Sequence, residues 1–260
     1  MPHFLNVWPT VSRRLRDARG VLLVLDYDGT LAPIVDRPEL ASLPAETRES
    51  LVHLSHREKY VVGIISARSL EDVKARVGVD GLIYAGNHGL EISGPGLDFV
   101  HPEATRLRGT VDQAYRRLQQ GLIHLAGVII EHKGLTLTVH YRLTPEELVG
   151  EVEEAVKAAA GPFVESGTII ISGGKKAFEV RPGLAWDKGK AVGKLQTAFP
   201  QASLPVFFGD DLPDEEGFTA VQEAGGMGVF VGPARQPTAA LYRVDSPQEV
   251  AEALGLMVQG

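Results

Sequence analysis

The 260-residue sequence contains no cysteine. Disulfides, thiolate metal sites and a cysteine nucleophile are therefore excluded. No stretch approaches the ~18 consecutive apolar residues of a membrane-spanning helix. The opening residues, MPHFLNVWPT, lack a basic segment followed by an apolar core, so no secretory leader is expected. Dense Lys/Arg clusters are missing too, and the formal net charge is −7. These features disfavour nucleic acid and membrane as partners, while leaving room for a small, locally positive site. Phosphate loops of the G-x-x-x-x-G-K-[ST] type, G-x-G-x-x-G and H-E-x-x-H are absent, as are internal repeats. With 44% apolar and 23% charged residues, the expectation is a soluble cytoplasmic protein with room for a proper core.

What is present centres on residues 21–30. Five apolar residues, Val21 to Leu25, stop at Asp26 and Asp28, with Gly29 and Thr30 behind them. An unbroken apolar run this short predicts a strand buried on both faces of a parallel sheet. In open α/β sheets the ligand site lies off the carboxyl ends of the strands. Two carboxylates one residue apart there repel each other, and a divalent cation held between them removes the repulsion and can also bind a phosphate oxygen. Such a carboxylate can attack phosphorus while its neighbour protonates the leaving oxygen and later activates water. Taken alone, the same residues also fit a turn capped by an Asp.

The remaining elements follow in order. A polar helix over 10–18 leads into the first strand, and a proline-punctuated loop (Pro33, Pro38, Pro44) follows it. A helix is predicted from Ala45 to about Glu58, then a strand Tyr60–Ile65 ending at Ser66. Ser69 with Asp72 marks a helix start, and Gly81–Ala85 is a strand ending at Asn87-His88. Near Pro102 the grammar changes. A helix over 104–125 is followed by Val128–Lys133 and the alternating run Leu135–Arg142, an antiparallel pattern turning at Lys133-Gly134. Thr144-Pro145-Glu146-Glu147 predicts a capped helix burying Leu148, Val152 and Val156, before strands over 168–172 and 175–181. The first grammar returns with a helix from Lys188 to Phe199 and a strand from Pro205 ending in Gly209-Asp210-Asp211, with Asp214 beyond. A short strand at Val229–Val231 and a helix Pro247–Met257 complete the chain. The expected organisation is a Rossmann-like α/β core of 1–104 and 183–260 with an inserted α+β domain at 105–182.

Four predicted strands thus end in polar signatures: Asp26/Asp28, Ser66, Asn87/His88 and Asp210/Asp211. This constellation, with Lys188 ahead of the later strands, resembles the haloacid dehalogenase superfamily of phosphatases over the whole chain. The resemblance implies that Asp26 is the nucleophile and Asp28 the general acid and base. It implies Mg²⁺ held by Asp26, Asp28 (through its main-chain carbonyl) and Asp210, supported by Asp211 and Asp214. Ser66 and Lys188 would bind the phosphoryl group. Without it, Ser66 reads equally as a helix cap and Lys188 as a solvated first-turn lysine.

In the insertion, Thr136, Thr138, His140 and Arg142 share one strand face. A two-residue turn at Lys133-Gly134 puts Glu131 there too, and Lys175, Ala177, Glu179 and Arg181 share another. A solvated outer face is the plainer reading of such a pattern. The stretches LDYDGTLAPI, AGNHGLE, EHK…HYR and GKKAFEVRP are similar to the trehalose-6-phosphate phosphatase branch of the superfamily. That resemblance implies a substrate-choosing cap in which Glu131, Lys133, Lys175 and Glu179 grip a disaccharide. It adds His140, Arg142, Asn87 and His88 as further substrate contacts. Ala67 and Ala177 depart from residues common in that branch. The implied partner is a small-molecule sugar phosphate, bound by a monomeric chain. Phosphatases for sucrose-phosphate- or mannosyl-phosphoglycerate-type substrates, and a non-catalytic sugar-phosphate-binding subunit, are the alternatives.

Overall fold

The computed structural model describes residues 1–35, 37, 40–174, 176–233 and 237–260. Pro38 and Lys175 lie outside the described residues. In chain order the elements are α1 (Trp8–Asp17), β1 (Val21–Asp26), α2 (Ala45–Ser55), β2 (Tyr60–Ile65), α3 (Leu70–Val77), β3 (Ile83–Gly86), β4 (Glu91–Gly94) and β5 (Leu97–Val100). Then come α4 (Pro102–Leu122), β6 (Ile129–His132), β7 (Leu137–His140), α5 (Val149–Glu165), β8 (Ile169–Gly174) and β9 (Ala177–Pro182). The chain finishes with α6 (Lys188–Ala198), β10 (Leu204–Gly209), α7 (Glu215–Glu223), β11 (Met227–Val231), β12 (Tyr242–Val244) and α8 (Pro247–Gln259). Two compact units result, one of 1–99 with 186–260 and one of Val100–Ala185. Among the described residues, no helix is long and apolar enough to cross a membrane.

The first unit is an α/β structure around a sheet ordered β12-β11-β10-β1-β2-β3-β4-β5. β1 pairs in parallel with both β10 and β2, and all six of its residues are buried. Its alternation feeds two cores. Val21, Leu23 and Leu25 pack with Leu51, Leu54, Val73, Val77 and Leu254 of α2, α3 and α8. Leu22 and Val24 pack with Ala191, Val192, Leu195, Phe218 and Val221 of α6 and α7. Burial of each such side chain contributes roughly 1.5–3 kcal/mol, which is why a continuous apolar run marks the central strand. Parallel pairing brings the carboxyl ends of β1, β2, β3 and β10 to one edge.

The sequence reading misses β4, β5 and β12. The first two form an edge pair written in Ser-Gly-Pro-Gly turn residues, and β12 has only three residues, so neither offers a long alternating run. The helix α2 also stops at Ser55, three residues early, with His56 as its C-cap.

The second unit carries an antiparallel sheet ordered β6-β7-β9-β8, with α4 and α5 contributing Val111, Leu118, Val152 and Val156 to the core beneath it. Here the turn differs from expectation. His132 pairs with Leu137, and the connection is 133–136, closed by Lys133 N–H on the Thr136 carbonyl at 2.9 Å. The register moves by two in the sum of partners, so Glu131 lies opposite Thr138 and not Thr136, but parity survives and it keeps the expected face. The strand β7 ends at His140, whose partner Ala177 is the first residue of β9, so Arg142 sits in the following turn and not on the sheet face. The predicted Thr144 cap is not made either. Thr144 Oγ1 is buried without a hydrogen-bond partner, a short 3₁₀ turn Glu146–Leu148 opens α5, and Leu148 is only half-buried.

Candidate active site

The edge defined by β1, β2, β3 and β10 gathers most of the expected groups. Gly29, at φ +95°, turns the chain away after Asp28, and a Cβ there would lie 2.2 Å from Asp210 Oδ2. Only glycine lets the two segments approach this closely. Thr30 Oγ1 then donates to Asp210 Oδ1 at 3.4 Å. After β10, Asp211 and Asp214 form a reciprocal capping box, and Asp214 Oδ2 accepts the N–H groups of Asp210 and Asp211 at 2.9 and 3.1 Å.

Lys188 opens α6 and is 97% buried, so the solvated-lysine reading fails. Its Nζ donates to Asp26 Oδ1 at 2.7 Å and to Asp214 Oδ1 at 2.5 Å. One carboxylate oxygen from each of Asp26, Asp210 and Asp214 lies within 4.8 Å of the others. A single buried ammonium cannot neutralise that many carboxylates, and the charge states show it. Burial pushes the Asp26 carboxyl well up; Lys188 opposes this, and Asp214, Asp210 and Asp211 push further up. Burial likewise pushes Asp211 up to about 8, against Lys188 and helped by Asp214. Burial works the same way on Asp214, but Lys188 and the Asp211 hydrogen bonds outweigh it and hold that carboxyl below its ordinary value. Lys188, which burial alone would lower, is held well above its ordinary value by Asp214 and Asp26. Asp211 Oδ1 is buried without a hydrogen-bond partner. Oxygen-only donors, excess negative charge and an orphaned carboxylate oxygen suit a hard divalent cation such as Mg²⁺.

Ser66 follows β2 and is 1% exposed. It is not the helix cap; that is Ser69, whose side chain accepts from Asp72 N–H. Ser66 Oγ instead accepts from Arg68 N–H at 3.1 Å. Asn87 and His88 are buried in a short turn after β3, with φ of +51° and +58°. Left-handed conformations cost non-glycine residues about 1–3 kcal/mol each. Their N–H groups reach the Arg68 and Ser66 carbonyls at 2.7 and 2.9 Å, while Asn87 Nδ2 donates to Glu91 at 2.7 Å. Asp28 stands apart from the carboxylate cluster, paired with Arg68 at 2.7 Å. Sequence reasoning passed over Arg68, though an arginine two residues past the motif serine was there to be read.

In the second unit, Glu131, Thr138 and Glu179 stand in one cross-strand row. Thr138 Oγ1 donates to Glu179 at 3.0 Å, and His140 Nε2 lies 3.0 Å from Glu131. Lys133 Nζ is 3.6 Å from Glu179 and 4.0 Å from Glu131, its side chain only 5% exposed. Thr136 and Thr138 are buried, so this is not a solvated outer face. Arg142 is half-buried in its turn.

These features define a class. A haloacid dehalogenase-like hydrolase from Bacteroides thetaiotaomicron superposes with a TM-score of 0.65 over 92% of this chain and 99% of that one, and at 18% identity the likeness is one of fold. The fold is therefore haloacid dehalogenase-like. The C-terminal domain of a trehalose-6-phosphate phosphatase from C. albicans matches with a TM-score of 0.82 and 26% identity, covering 96% of each chain. A trehalose-phosphate phosphatase of Mycobacterium avium is 38% identical over 244 residues, 90% of this chain and 61% of that protein. The chain thus spans about three fifths of the length of the first curated relatives it matches. The trehalose-phosphatase family model matches residues 24–248. The chain belongs to the trehalose-phosphatase family.

Proposed function

We propose that the chain is a Mg²⁺-dependent phosphatase that converts trehalose 6-phosphate to trehalose and phosphate through an acyl phosphate on Asp26. The observation that carries the reading is Lys188 Nζ bridging Asp26 and Asp214, with Asp210 in the same carboxylate cluster. An Asp26 oxygen bonds to phosphorus as the bond to the sugar oxygen breaks, and Asp28 gives that oxygen its proton. Water then attacks phosphorus, Asp28 takes its proton, and the Asp26 carboxylate is restored. Ser66 and Lys188 steady the transferring phosphoryl oxygens, since this chemistry needs positioning and charge neutralisation above all. Asp26, Asp210 and the Asp28 main-chain carbonyl would hold the cation, with Asp211 and Asp214 behind them. When bound, Mg²⁺ neutralises charge on the phosphoryl oxygens. A sensor needs no nucleophile and acid together, which speaks against a non-catalytic subunit. Phosphate release from a sugar-phosphate panel tests the reading; trehalose 6-phosphate is the preferred substrate, and release unaffected by EDTA contradicts the metal dependence.

Cation binding is expected to expel protons. Below about pH 8 Asp211 carries a proton in the cation-free protein, and Asp26 is raised as well. Carboxylates must ionise to ligate, so apparent Mg²⁺ affinity rises with pH, by roughly tenfold per pH unit for each proton displaced, and the Asp211 contribution to that rise ends near pH 8. Calorimetry in two buffers of different ionisation enthalpy reads the proton count. A count of zero near pH 6.5 contradicts this ligand set.

The second unit supplies specificity in this reading. Glu131, Lys133 and Glu179 offer carboxylates and an ammonium suited to vicinal hydroxyls, with Lys175, His140 and Arg142 further candidates and Asn87 and His88 candidates from the first unit. Glu131→Ala or Glu179→Ala should cost about 1.5–3 kcal/mol of transition-state binding, roughly ten- to a hundredfold in kcat/KM, on trehalose 6-phosphate. An activated aryl phosphate should be spared. Equal losses on the two substrates would remove the specificity role.

A further inference from the structure

Arg68 makes contacts that nothing above requires of a phosphate site. Its side chain is 8% exposed, and it grips both oxygens of Asp28, Nε to Oδ2 at 2.7 Å and Nη2 to Oδ1 at 2.8 Å. Its remaining nitrogen, Nη1, donates to Asp72 Oδ2 at 2.7 Å. The same Asp72 oxygen accepts from Arg76 Nε at 2.8 Å, and Arg76 Nη1 reaches the Ala41 carbonyl at 2.9 Å. The guanidinium also lies over the Tyr27 ring, 5.4 Å from its centroid. The Arg68 backbone is pinned as well, its N–H on Ser66 Oγ and its carbonyl under the N–H of the left-handed Asn87. The Asp28 side chain, by contrast, is 38% exposed.

We propose that Arg68 is the positioning residue for Asp28, a fixed guanidinium fork that sets the rotamer from which this carboxylate exchanges protons with the leaving oxygen and water. The proposal rests on the phosphatase reading. Strain at Asn87 and His88 then has a use, because it aims two N–H groups at the segment that carries the fork. A lysine cannot substitute, since a single ammonium does not orient a carboxylate in its plane. Asp72 and Arg76 hold the fork from behind, so Asp72→Asn should reproduce part of the effect.

The test compares trehalose 6-phosphate with 4-nitrophenyl phosphate for wild type, Arg68→Lys, Arg68→Ala, Asp28→Asn and the double variant Asp28→Asn/Arg68→Ala. A sugar alkoxide needs a proton to leave and an activated phenol does not, so a residue acting through Asp28 matters more for the sugar. Hydrolysis of the acyl phosphate also uses Asp28 and is common to both esters, so the comparison is made in kcat/KM, which reads through the first step. Arg68→Ala and Arg68→Lys should each lower it on trehalose 6-phosphate by on the order of 10²-fold, with a smaller loss on the aryl ester. In the Asp28→Asn background, removal of Arg68 should change kcat less than about twofold. Added guanidinium should partly restore Arg68→Ala. Equal losses in kcat/KM on both substrates, or losses that multiply in the double variant, overturn the proposal. If Arg68→Ala fails to fold, Arg68→Lys, which keeps the buried charge, decides between the two outcomes by the same substrate comparison. A wild type inactive on both substrates overturns the phosphatase reading, and the proposal with it.

Discussion

Asp26→Asn is expected to abolish phosphate release, on the order of 10⁴–10⁶-fold in kcat, the scale on which covalent mechanisms fail when the nucleophile or its partners are removed. An amide oxygen does not displace an alkoxide from phosphorus, and no other side chain of the cluster holds the same place at the end of β1. Folding should survive. Asparagine matches aspartate in size, Asp214 remains to pair with Lys188, and like-charge repulsion among the carboxylates falls. A thermal melt close to wild type with no phosphate release is the expected pair of results. Near-normal turnover would mean that another group attacks phosphorus.

The second large effect is on both stability and rate. Lys188→Ala removes the buried ammonium that lies 2.7 Å from Asp26 and 2.5 Å from Asp214. Breaking a buried pair from one side leaves an uncompensated charge and costs about 3–5 kcal/mol. Loss of a preorganised cation beside the phosphoryl oxygens should lower kcat by a further factor of roughly 10²–10³. In the proposed reading Mg²⁺ would neutralise the same carboxylates, so it should raise the melting temperature of Lys188→Ala more than that of wild type. Urea unfolding with and without Mg²⁺ checks this, and equal stability of variant and wild type would contradict the buried pairing.

The first unit was legible because its chemistry sits where regular patterns stop. Val21–Leu25 and Leu204–Phe208 are continuous apolar runs, and a strand flanked on both sides and covered on both faces has no alternative to such composition. Asp26 ends β1, and Ser66 and Asp210 directly follow β2 and β10, so finding the strands located the candidate site. Arg68 was not legible in that way. Its partner lies 40 residues earlier, and the pairing exists only once β1 and β2 lie side by side. The hairpin in the second unit was misjudged because Lys133-Gly134 suggests a tight turn, whereas the chain closes over four residues. Alternation still placed Glu131 on the same face as Thr138, since face depends on parity and not on loop length, although its partner shifts from Thr136 to Thr138. The expected cap at Thr144 failed for a similar reason. A 3₁₀ turn sets the Leu148 N–H on the Pro145 carbonyl and moves the N-cap to Pro145, so the threonine hydroxyl is no longer at the capping position.

The most direct measurement is to quench the enzyme with acid during turnover of ³²P-labelled trehalose 6-phosphate and map the label by peptide mass spectrometry. Label on the peptide carrying Asp26, absent when Mg²⁺ is withheld, is the predicted outcome. Steady turnover with label on any other residue, or with none on the protein when Asp28→Asn, which slows breakdown, is loaded from labelled 4-nitrophenyl phosphate, would contradict the account at its centre.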